Sequence, residues 1–175
     1  ASTKPTIRLF TVAKRTSDKP EKTFGKGGPT DHKWLECTPE TTPNFSAVGY
    51  FFGEALAKAL PDTPIGLIHT SWGGTPAQAW TTKEKLDSID ELKYYHADLA
   101  KAVAAFDPAK AEAKYVTEMA KHKLDQQAFQ AKQKEAKEAG KEMPKNGPRQ
   151  PQRPVLPSLS PNAPSSLYNG MIQPL

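Results

Sequence analysis

The sequence has one cysteine, three methionines and no apolar run approaching the ~18 residues that a membrane-spanning helix requires. A single thiol excludes an internal disulfide framework and a cysteine-rich zinc module. Neither sign of charge is concentrated. The 24 Lys+Arg and 19 Asp+Glu leave +5 at neutral pH, with lysine and glutamate interleaved and no block of five like charges. That pattern is a solvated helical face rather than a stripe that tracks phosphates, and it argues against nucleic-acid binding. No basic segment followed by an apolar core opens the chain, so no secretory leader is visible. The chain starts at Ala1 rather than Met and stops in an apolar stretch at Leu175, which reads as a piece of a longer protein. Proline is the excess: seventeen in 175 residues, about twice the usual ~5% share, which excludes a simple helical bundle.

The first half has the grammar of an α/β domain. Residues 7–12, IRLFTV, are β-branched and apolar and predict a strand. Residues 13–44 carry Pro20, Gly25, Gly27, Gly28, Pro29, Pro39 and Pro43 and predict a long loop, with a short strand near Trp34. In residues 45–60, Phe45, Val48, Phe52, Ala55, Leu56 and Ala59 recur at three and four, one apolar stripe of a helix. Gly49 and Gly53 beside that stripe each cost about 1 kcal/mol of helix propensity, a cost offset where the helix must approach a sheet closely. Residues 65–69, IGLIH, form a continuous apolar run after Pro64, the pattern of a parallel strand buried on both faces. Thr75-Pro76 then predicts a helix start with a threonine cap, and Thr81 with Glu84 a capping box.

Composition changes after residue 82. Leu86, Ile89, Leu92, His96, Leu99, Val103 and Phe106 predict one helix running to Asp107, and Asp107-Pro108 caps a second that ends at Gly140. Both stripes are thin, so 83–140 reads as an exposed helical hairpin inserted in an α/β domain that occupies 1–82. Residues 141–166 are proline-rich and aperiodic, an extended connector, and 167–175, apolar again, re-enter the core.

The chemically expressive segment is 65–80, IGLIHTSWGGTPAQAW. Ligands of open α/β sheets bind beyond the carboxyl ends of strands. Gly73 and Gly74 clear side chains from that position, so the N–H groups of Gly73, Gly74 and Thr75 can converge on a developing oxyanion. A tight turn that merely needs glycine is the bland alternative. His69-Thr70-Ser71-Trp72-Gly73 has the outline of a nucleophile elbow, but an imidazole replaces its first glycine, so Ser71 is expected to bond the turn backbone instead. His32, beside Asp31, His69, His96 and His122 show no metal-ligand spacing. Cys37 reads as a small buried thiol rather than half of a dyad with His32. Trp34, Trp72 and Trp80 fit either a sugar-binding face or core packing.

Together, SAVGYFFG, TSWGGTPAQAW and LYNGMI, in that order, resemble the sialate O-acetylesterase family of the SGNH hydrolase superfamily. The likeness is strong over 34–82 and good over 161–175. It implies a flavodoxin-like three-layer α/β/α sandwich with a parallel sheet, incomplete in this chain, and hydrolysis of acetyl esters on sugars, sialic acid among them. It implies an acetylated carbohydrate substrate, no cofactor and a periplasmic or extracellular location. Gly73 and Gly74 map onto the family's oxyanion-hole glycines, with Trp72 and Thr75 beside the substrate. The family's serine nucleophile block and Asp/His pair have no counterpart in 1–175, so the chain alone is expected to be inactive, for want of a base next to a nucleophile. The rival readings are a non-catalytic carbohydrate-binding relative and an α/β hydrolase that uses Ser71.

Overall fold

Strand β1 (Lys4–Thr11) lies at the centre of a three-stranded sheet in order β2-β1-β3. The computed structural model describes residues 3–25, 32–143 and 145–175. The expectations for Gly27, Gly28, Pro29 and Asp31 lie outside them. Strand β3 (Ile65–His69) pairs parallel to β1 in unbroken register from Ile7↔Ile65 to Thr11↔His69. Strand β2 (Leu35–Cys37), the short strand expected near Trp34, pairs antiparallel to β1, with an irregularity between Lys4 and Arg8. The sheet is therefore mixed, where an all-parallel one was expected.

Side chains alternate across a strand, and β1 uses both faces. Ile7 and Leu9 join Cys37, Ile65, Leu67 and Tyr50 in one buried cluster under helix α1 (Ala47–Ala59). Phe10 and Val12 face the other way, into a second cluster with Ala79, Leu167 and Met171. The closing segment thus returns to the interior: Leu167, just before a π-helical turn (Tyr168–Ile172), and Met171, within it, are both fully buried. Cys37 is buried, and its thiol lies 3.6 Å from the Thr42 hydroxyl.

Helix α1 starts where Ser46 accepts from the amide of Gly49. It buries a different face from the predicted stripe. Tyr50 and Gly53 are inside, with Phe45, Leu56 and Ala57 packed beside them, while Val48 and Phe52 are 83% and 63% exposed. The helix is apolar on two sides, so periodicity does not say which one meets the sheet. The deciding contact is Gly53, where an added Cβ would lie 2.4 Å from Leu67 Cδ1. Gly49 has no such role: its close neighbour is the ring of Phe45. Strand β3 is likewise buried on one face only, through Ile65 and Leu67. Gly66 and Ile68 face outward, with the Trp34 ring lying over Gly66. An apolar run marks burial but not the number of faces covered.

The expected single helix over 86–106 is broken. α2 (Lys83–Asp87) ends at Ser88, whose hydroxyl donates to the Lys85 carbonyl, and Ile89 is extended. A 3-10 turn (Asp90–Leu92) and α3 (Tyr94–Ala105) follow. The cap of α2 is Thr82, which accepts from the Lys85 amide, not Thr81, whose hydroxyl donates to Ala77 O. α4 (Pro108–Glu138) is capped by Asp107, and Gly140 beyond its end has φ +62°, the left-handed conformation that suits glycine.

The chain divides into two compact units, Ala1–Ala100 with Ser158–Leu175, and Lys101–Pro157. In the second unit no residue of α4 is buried. The proline-rich segment runs back along that helix: Gly147 approaches the Phe129 ring, and the Arg153 guanidinium forks onto the Glu112 carboxylate at 3.2 and 3.3 Å.

Candidate functional site

The loop after β3 begins from a fixed point. The Val12 amide donates to the His69 carbonyl at 2.9 Å, extending the β1–β3 ladder by one rung. From there Thr70–Thr75 form an irregular segment ending in the turn that precedes a 3-10 helix (Ala77–Trp80). Thr75 does not cap that helix as predicted. Its hydroxyl donates to the Trp72 carbonyl at 2.6 Å and accepts from the Trp80 indole N–H at 2.9 Å, which staples the loop onto its own exit.

The glycines sit at the open side of this staple. A Cβ on Gly73 or on Gly74 would meet nothing within 4 Å, and Gly74 has φ +79°. Neither N–H finds an acceptor among the described residues. Gly74 is therefore required by its backbone conformation, and Gly73 leaves space. Thr70, Ser71, Trp72, Gly73 and Trp80 line a shallow depression of about 320 Å³. Lys14 Nζ lies 5.4 Å from the centroid of the Trp72 ring, bringing positive charge to one wall. Trp34 takes no part, because it packs on Gly66 and Phe10, so two of the three tryptophans meet here.

Ser71 departs from expectation. Its hydroxyl bonds not to the turn backbone but to His69 Nε2, at 2.7 Å. In an extended segment residues two apart point to the same side, which was the signal available in the sequence for this pair. The His69 ring packs edge-on against Phe45, with centroids 5.7 Å apart. Its Nδ1 and the Thr70 hydroxyl are buried with no partner among the described residues. A serine hydroxyl held by an imidazole beside unbonded amides is a disposition suited to acyl chemistry. The other histidines lie elsewhere: His32 stacks on Phe24, His122 is on α4, and His96 bonds Asp87.

These features define an α/β protein with a small mixed sheet and an open glycine loop at the carboxyl end of a parallel strand. No family model matches the chain. It is similar to proteins named sialate O-acetylesterase. The orangutan (Pongo abelii) and human proteins are each 41% identical over 61 residues, 32% of this chain and 12% of theirs. The rat protein is 46% identical over 41 residues, 23% of this chain and 7% of its own. The matched part of the chain thus spans an eighth or less of the length of these curated relatives. A solved carbohydrate acetylesterase from Xanthomonas citri is 30% identical with a TM-score of 0.44, over 51% of this chain and 19% of its own. The named relatives are esterases.

Proposed function

We propose that this sequence is part of a carbohydrate O-acetylesterase of the SGNH type, a serine hydrolase that removes acetyl groups from sugars such as sialic acid. In this reading Gly73 and Gly74 donate N–H to the tetrahedral oxyanion, while Trp72 and the backbone of Thr75 flank the sugar. The supporting observation is the pair of unbonded amides in open space at the carboxyl end of β3. One such donor is worth about 2.7–4 kcal/mol in the transition state of acyl transfer. The names of the relatives support the ester and the sugar. The three-layer sandwich, the carbohydrate partner and an extracytoplasmic location belong to the same proposal.

The test is acetate release from O-acetylated sialic acid, acetylated xylan and 4-nitrophenyl acetate by the protein at its natural length. Gly73→Val, which has room for its side chain, should cut kcat/KM at least 10-fold by covering the amides. Unchanged kcat/KM in that variant, or no acetate release by the parent, refutes the proposal.

A second reading has Ser71 as nucleophile and His69 as base, and the 2.7 Å contact favours it over an inactive chain. Labelling of Ser71 by a fluorophosphonate, lost in His69→Gln, is its expected signature.

A further inference from the structure

Asp87 and His96 lie nine residues apart and Ser165 a further 69 along the chain, and the fold of the first unit brings the three together. Asp87 Oδ1 lies 3.0 Å from His96 Nδ1, and His96 Nε2 lies 3.3 Å from the Ser165 hydroxyl. Each ring nitrogen therefore has its own partner, carboxylate on one side and serine on the other. That is the connectivity by which a carboxylate fixes the tautomer and orientation of a base that takes a serine proton.

Three further observations separate this arrangement from a chance pair of hydrogen bonds. Ser165 has φ +64°, one of two non-glycine residues with positive φ among those described, and it stands in the turn before the Tyr168–Ile172 helix. Strained backbone clusters at functional sites, and this serine is buried, 2% exposed, against the cavity that it lines. The strain is held in place from both sides: the Ser165 amide donates to Gln78 O at 2.9 Å, and its carbonyl accepts from the Asn169 amide at 2.9 Å. Finally, Ser165 and His96 line a cavity of about 230 Å³ whose walls include Asp18, Lys83, Tyr168 and Gln173. The Asp87 carboxylate is also paired with Lys83 and is held below the ordinary aspartate value, first by that hydrogen bond and then, against the opposing effect of burial, by the one to His96. It stays ionised, as an orienting carboxylate must.

We propose that Ser165, His96 and Asp87 are a second acyl-transfer centre, acting on a short-chain carboxylic ester of a polar alcohol. The cavity volume and its apolar lining at Pro20, Leu99 and Pro164 fit a short acyl group, and Asp18, Lys83 and Gln173 on its walls fit the alcohol. The Ser165 oxygen attacks the ester carbonyl carbon as His96 Nε2 takes the hydroxyl proton. Collapse of the tetrahedral adduct breaks the bond to the alcohol oxygen, which leaves with that proton. Water, deprotonated by the same nitrogen, then releases the carboxylic acid and restores the serine. Asp87 is a positioning residue. The exposed Gln173 has no side-chain hydrogen bond among the described residues and is the amide available to the oxyanion. The centre is independent of Gly73 and Gly74.

The experiment is reaction of the chain with a small alkyl fluorophosphonate, in which a Ser–O–P bond forms and fluoride leaves, with the adduct located by mass spectrometry. The expected result is an adduct on Ser165, absent in Ser165→Ala and formed at least 100-fold more slowly in His96→Gln. Ser165→Gly relieves the positive φ, so it keeps the fold, checked by circular dichroism, and takes no label. No adduct on Ser165, an adduct only on Ser71, or a rate indifferent to His96→Gln would each overturn the proposal. The glycine-loop reading fails separately, through Gly73→Val and acetate release, so the two outcomes are distinguishable.

Discussion

Gly53 of α1 lies against Leu67 of β3 so closely that a Cβ there would stand 2.4 Å from Leu67 Cδ1 and 3.0 Å from Cδ2. Both methyls belong to a side chain already packed in the core, so neither can move aside freely. Gly53→Ala therefore gains about 1 kcal/mol of helix propensity and loses about 1–3 kcal/mol to overpacking. A net destabilisation is expected, read as a lower urea midpoint with an unchanged slope.

Gly170 makes the harsher case. A Cβ on it would stand 2.5 Å from the Arg15 carbonyl oxygen, which is backbone and has nowhere to go. Gly170→Ala should lower Tm more than Gly53→Ala does, and Gly73→Ala, with nothing within 4 Å, should leave it nearly unchanged. Thermal melts of the three variants test the order.

The two apolar faces of α1 should differ sharply under mutation. Tyr50→Ala empties a core site and is expected to cost about 3–5 kcal/mol, as for other large aromatic truncations. Val48→Ser and Phe52→Ser alter exposed positions and should stay within about 0.5 kcal/mol. Equal costs at Tyr50 and Phe52 in denaturant titrations would contradict the observed orientation.

The same elements mark how far the sequence could be read. β3 was legible to the residue, because Pro64 and the polar turn bound an apolar run tightly. The face that α1 presents was not, since Val48 and Phe52 carry as strong a period as Tyr50 and Gly53, and only packing chooses between them. The break between α2 and α3 was hidden by a periodicity that continues through Ile89, although the backbone there is extended. At the candidate site, Gly73, Gly74 and Ser71 were visible as a motif. The Asp87–His96–Ser165 line was invisible, because 69 residues separate the last two and no local spacing encodes their meeting.

Thr82 and Thr81 give a test of the observed cap. Thr82→Ala removes the acceptor for the Lys85 amide and should cost about 1 kcal/mol. Thr81→Ala removes a hydroxyl bonded only to the Ala77 carbonyl and should cost less. A reversed ranking in urea unfolding would restore the cap expected from the capping-box pattern.

Acid should weaken the first unit through Asp87. Its carboxyl titrates below the ordinary aspartate value because Lys83 donates to it, with His96 adding a second bond and burial working the other way. A depressed folded pKa means that the unfolded chain binds more protons through this window. The stabilisation is full above the ordinary value and is lost as pH falls through the depressed one. In Lys83→Met the Asp87 carbon resonance should titrate at higher pH, and Tm should depend less on pH in the same range.

The bond from Val12 to His69 has a mechanical consequence. β1 is laddered on both sides, so its amides should be among the slowest in the chain to exchange with deuterated solvent, whereas those of Ser71–Gly74 should exchange at once. The glycine segment then works like a loop pinned at both ends, by that bond at its start and by the Thr75 hydroxyl at its exit. Whatever it grips is referenced to the stiffest strand of the sheet, and a ligand need only still four residues to gain that strand's rigidity.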